Sequence, residues 1–135
     1  MQPQIHLVDE TWLAVEPNRV VAEVTDPANW ARWWPPLTLR VTRDRGLKGM
    51  QWAAVSRPVS SSKLTGWRHR PALAGTVEIW LEPMLGGVLL HHYLRLDPVG
   101  DRRLGRRAAD RVTRRFAWQA KRQFWQLKDR LEAGR

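Results

Sequence analysis

The chain has 135 residues, 43% of them hydrophobic and 27% charged, with no cysteine and a formal net charge of +10. A length of this order supports one domain, over residues 1–135, with one core. The lack of cysteine excludes disulfides, thiolate metal sites and cysteine nucleophiles, and no apolar run approaches the roughly 18 residues of a membrane span.

Ile5 to Val15 reads as a first strand, with Ile5, Leu7, Thr11, Leu13 and Val15 on one face and His6, Val8, Glu10, Trp12 and Ala14 on the other. Pro17 opens a short helix over Asn18 to Val24, and Asp26-Pro27 opens another that carries Trp30, Trp33 and Trp34 before Pro35-Pro36 stops it. Leu37 to Arg43 alternates as a half-buried strand. The turn Asp44 to Gly49 then returns it as Met50 to Ser56. Pro58 and Ser60 to Ser62 read as a loop, and Lys63 to Arg70 as a further strand closed by Pro71. Thr76 to Glu82 and Val88 to Leu96 form a second hairpin across Pro83 to Gly87.

Asp110 to Glu132 is predicted as one long amphipathic helix, because Ala109, Val112, Phe116, Ala120, Phe124, Leu127 and Leu131 recur at steps of three and four. At ~1.5 Å per residue such a helix is about 35 Å long, enough to cross a small domain. Its reverse face carries Trp118 and Trp125 among arginines. Arg102 to Arg135 holds 12 basic and 3 acidic residues, whereas the first 101 hold 11 and 10, so the charge excess belongs to this end. It can form a solvated arginine face, or meet nucleic acid, an anionic membrane or an acidic ligand. Trp118 and Trp125 can pack beneath the short helices, meet a second subunit, dip into a membrane interface or stack on bases.

The expected fold class is therefore α+β: an antiparallel sheet gripping a long C-terminal helix, with two short helices after the first strand. This layout resembles the helix-grip (SRPBCC) superfamily of START lipid-transfer domains, plant pathogenesis-related carriers and polyketide cyclase/dehydrase-like proteins. The residues that carry the resemblance are Val15-Glu16-Pro17 leading into Val20, Asp26-Pro27, Trp30 to Pro36, Gly46 to Trp52, the Thr76 to Leu96 hairpin, and the closing Lys128 to Glu132. Beside small relatives the segment Arg57 to Ala74 is long. The resemblance implies a cavity between sheet and helix that takes a lipid or polyketide-like molecule, and it leaves open whether the protein carries the ligand or cyclises or dehydrates it.

Strand parity places Val77, Ile79 and Leu81 inward, opposite Leu90, His92, Leu94 and Leu96, with Met50, Trp52 and Ala54 beside them. The ligand-contacting set expected from these rows is Trp52, Ile79, Leu81, Leu90, His92 and Leu94, closed by Phe116, Ala120 and Phe124 from the helix and by Trp33 and Trp34 near the mouth. The alternative is that the same rings fill the core. His92, the polar member of an aliphatic row, is the candidate acid or base, or else a core or ligand-orienting histidine. His91 faces the other way, so the pair cannot share a metal. His6 and His69 have no partner at ligand spacing, and no metal or cofactor is expected. Glu78 and Glu82 lie about 13 Å apart along a strand, too far for a carboxylate pair. With Trp80, His91, Tyr93 and Arg95 they form an aromatic outer face, which is either a homodimer surface or a set of cross-strand pairs. No phosphate loop, Gly-x-Ser-x-Gly or His-Glu-x-x-His motif is present. The N-terminus lacks the pattern of a secretory signal, and a cytoplasmic location is expected.

Overall fold

A computed structural model describes residues 2–56, 71–101 and 103–134. The elements in chain order are β1 (Ile5–Leu13), α1 (Pro17–Val24), α2 (Pro27–Trp33), β2 (Leu37–Asp44), β3 (Gly49–Ser56), β4 (Leu73–Met84), β5 (Gly87–Pro98) and α3 (Arg106–Ala133). The strand expected over Lys63 to Arg70 lies outside the described residues.

Pro17 and Pro27 open α1 and α2, where the missing amide hydrogen costs nothing. Asp26 caps α2 by accepting from the Ala28 amide at 3.0 Å. The five strands pair antiparallel in the order β1-β5-β4-β3-β2, so the first and last strands are neighbours. Gly49, at φ 115°, lets β3 pass β4 closely, since a Cβ there would fall 2.0 Å from the Ile79 carbonyl oxygen. Leu85 and Gly86, both at positive φ, close β4 onto β5 in a two-residue turn. The connection is therefore tighter than the five residues Pro83 to Gly87.

α3 begins at Arg106, behind Gly105, four residues earlier than the sequence suggested. The charge of Asp110 would suit a helix N-terminus. Instead the first turn holds Arg106 and Arg107, so continuous helix propensity outweighs an unfavourable charge there. Its buried face is the expected stripe from Ala109 to Leu131. β1 ends at Leu13 rather than Val15, although Val15 still joins the core. There the end of α3 clamps it: Glu132 accepts from the Ala14 amide at 2.8 Å and Lys128 donates to the Trp12 carbonyl at 2.8 Å.

One face of the sheet meets the helices through Ile5, Leu13, Met50, Trp52, Val77, Ile79, Leu81, Leu90, Leu94 and Leu96, all buried. On the outer face Trp80 stacks on His91 at 4.3 Å, and His91 lies parallel to Tyr93 at 6.3 Å. His91 also reaches Glu82 at 3.0 Å and Glu10 at 3.4 Å, bridging three strands. Glu78 pairs with Arg45 rather than with Arg95, which lies over the Tyr93 ring.

Candidate functional site

In the middle of the sheet–helix interface aromatic rings contact one another. Trp34 meets Trp52 at 5.1 Å between ring centroids, Trp33 meets Phe124 at 5.3 Å, and His92 meets Phe124 at 5.2 Å. Trp33, Trp34, Trp52, Ile79, Leu81, Leu90, His92, Leu94, Ala120 and Phe124 are all buried in this one cluster. Phe116 is buried as well, but it also borders open space.

That open space is a groove of about 450 Å³ at one end of the interface. Among the described residues its walls are Pro35 and Pro36 after α2, Ser56 and Leu73 at the facing ends of β3 and β4, Pro71, and Val112, Arg115, Phe116, Trp118, Gln119 and Arg122 of α3. The prolines that stop α2 thus form one rim, and the apolar stripe of α3 forms the floor. Phe116 is the member of the expected ligand set that lines it. The others stand behind it.

His92 sits at 0% exposure, and its Nε2 accepts a hydrogen bond from Trp34 Nε1 at 3.0 Å. An indole nitrogen only donates, so this bond assigns the imidazole proton to Nδ1. Burial lowers the His92 pKa to about 4, with Asp9 pulling it up and Lys121 pushing it down. The ring is therefore neutral around pH 7 and inaccessible to a ligand in the groove. His92 Nδ1 and Trp52 Nε1 have no hydrogen-bond partner among the described residues.

Sequence reasoning missed Asp9 and Lys121. Lys121 Nζ reaches Asp9 Oδ2 at 3.2 Å, the Glu10 carbonyl at 2.7 Å and Thr11 Oγ1 at 3.1 Å, tying α3 to β1. Asp9 shares the parity of Leu7 and Thr11, so its inward position was readable from strand alternation. On the far side of α3, Trp118 and Trp125 remain 66% and 46% exposed, meeting edge to face at 6.3 Å. They do not pack beneath the short helices. With Leu7, Asp9, Arg114, Ala117 and Lys121 they line a second hollow of about 440 Å³, so Trp118 stands on the ridge between two depressions. Among the described residues no helix is long and apolar enough to cross a membrane, and no three His, Asp or Glu side chains gather to hold a metal.

At the level of sequence no family model matches the chain, and no curated protein does. In shape it is similar to the Aha1 dimer from Colwellia psychrerythraea, with a TM-score of 0.57 at 12% identity over 97% of this chain and 98% of that one. The AHSA1 protein from Silicibacter pomeroyi is similar at a TM-score of 0.56 and 17% identity, over 96% and 99%. A protein from Deinococcus radiodurans gives 0.53 at 14%, over 96% and 98%. The likeness spans nearly the whole of both chains, and this chain has the helix-grip fold.

Proposed function

We propose that the chain binds a small apolar molecule, lipid- or polyketide-like, in the groove between the sheet ends and α3, as a binding protein. The observation that carries this reading is the groove itself. It offers about 450 Å³ over Pro35, Pro36, Leu73, Val112 and Phe116, a volume typical of small-molecule sites. The tryptophans and aliphatic residues of the core then act as the rigid wall behind Phe116. A cytoplasmic setting is part of the same proposal.

The alternative of a polyketide cyclase or dehydrase needs His92 to exchange protons with the ligand. Its burial, its engagement by Trp34 and its low pKa speak against that role, and we assign it instead to holding Trp34 in place. A second reading draws on the exposed Trp118 and Trp125, which with the arginines of α3 suit an anionic membrane or nucleic acid. Binding of that kind falls steeply with salt. A homodimer through the outer sheet face is a further proposal, tested by sedimentation.

The groove reading is tested with a neutral apolar fluorophore, N-phenylnaphthylamine, and a Gln119→Trp variant that fills the groove from its helix wall without touching the core. The native protein should enhance the dye's emission saturably, and the variant should not. Equal binding by both would place the dye elsewhere and count against the reading.

A further inference from the structure

We infer that the groove selects an amphipathic anion: a molecule with an apolar body and an acidic head, held by Arg115 and Arg122. This rests on the groove being a ligand site at all, and it names the chemistry of what enters. Arg115, Gln119 and Arg122 follow one another at steps of four and three along α3, forming one wall above the apolar floor of Val112 and Phe116. The Cα atoms of the two arginines are about 10 Å apart along the helix axis, at ~1.5 Å per residue. No Asp or Glu is among the described residues lining the groove, and neither arginine has an ion-pair partner among them.

The arginines differ in how they are held. Arg122 Nη2 donates to Gln119 Oε1 at 3.0 Å, and Gln119 Nε2 donates in turn to the Arg32 carbonyl at 2.9 Å. This chain runs from the end of α2 to α3 and tethers the exposed Arg122 guanidinium at the wall, with most of its donors uncommitted among the described residues. A guanidinium presents a planar fork that matches a carboxylate or phosphate two bonds at a time. Arg115 and Arg122 are both exposed at the rim, so an apolar ligand would leave them to water, whereas an acidic head gains a charge-assisted contact there and leaves its tail on Phe116, Leu73 and the prolines. Ser56 Oγ accepts from the Leu73 amide at 2.9 Å, so its hydroxyl proton remains a further donor at the sheet side of the groove.

The test compares decanoate with decanol, which share a tail and differ in the head, by calorimetric titration of the full chain and of an Arg115→Gln/Arg122→Gln variant. Decanoate should bind about tenfold more tightly than decanol, as expected of a charge-assisted contact. The double variant should erase that preference while keeping decanol binding. Equal affinity for the two in the native protein, or a preference that survives in the variant, would overturn the inference while leaving an apolar groove intact. Binding of neither would overturn the groove reading and the inference with it. Binding only to vesicles of anionic phospholipid, with no uptake of free decanoate, would also overturn it, in favour of a membrane surface.

Discussion

Trp34 Nε1 donates to His92 Nε2 at 3.0 Å between fully buried side chains, joining the end of α2 to the middle of β5. The bond ties a short two-turn helix to the sheet at the point where its rim forms the groove. Both partners lie within the aromatic cluster, out of reach of water. A hydrogen bond in that setting contributes more through the cost of breaking it than through its own strength.

Removing the donor should therefore be expensive. Trp34→Phe leaves His92 Nε2 without a partner and leaves space where the larger ring was, and we expect a loss of about 2–4 kcal/mol in urea unfolding. A Trp34→Phe/His92→Leu double variant should lose less than the sum of the two single changes. Strict additivity would show that the two residues act independently.

Stability should depend on pH through His92. The folded side chain takes up a proton only near pH 4, the unfolded one near 6.5. The unfolded chain thus binds more protons between these values, so this contribution is fully present above about pH 6.5 and is lost as the pH falls toward 4. The window corresponds to roughly 3 kcal/mol. His92→Gln cannot titrate but can still accept from Trp34, and its unfolding free energy should fall less than that of the native protein from pH 7 to pH 4.5. Parallel pH curves would assign the acid sensitivity to other groups.

Lys121 and Asp9 act on the same ring in opposite senses. Lys121→Met removes the positive neighbour and should raise the His92 pKa, while Asp9→Asn should lower it further. Imidazole carbon shifts followed by NMR across the acid range measure both. Movement of either in the opposite direction would contradict the electrostatic account.

Leu85 is 84% exposed and sits at φ 55° in the β4–β5 turn. A left-handed conformation costs a branched side chain about 1 kcal/mol that Asn largely avoids. Leu85→Asn should raise the melting temperature by a few degrees. A fall would mean that Leu85 has a contact that its exposure does not suggest.

Much of this architecture was legible because it rests on periodicity. The seven buried positions of α3 are the residues that recur at helical steps, and the inward row of β4 and β5 is read directly from alternation. His91 and His92 separate to opposite faces for the same reason. What escaped reading depends on distant partners. Nothing local to Trp34 names His92 as its acceptor, and nothing local to Lys121 points to Asp9, 112 residues away. A cavity between sheet and helix was expected, but the proline rim of this groove was not, because Pro35 and Pro36 read as helix stops rather than as a wall. The large rings of the expected ligand set also contact one another, and that packing depends on how α2 docks.

The central claim, that the groove holds a small apolar molecule, is tested most directly by native mass spectrometry of the purified full chain. Anything released on denaturation is then weighed. The account predicts a discrete adduct on the order of a few hundred daltons, the size such a groove accommodates, and its absence from the Gln119→Trp variant. A bare chain mass that stays unshifted after incubation with neutral and acidic amphiphiles would contradict it.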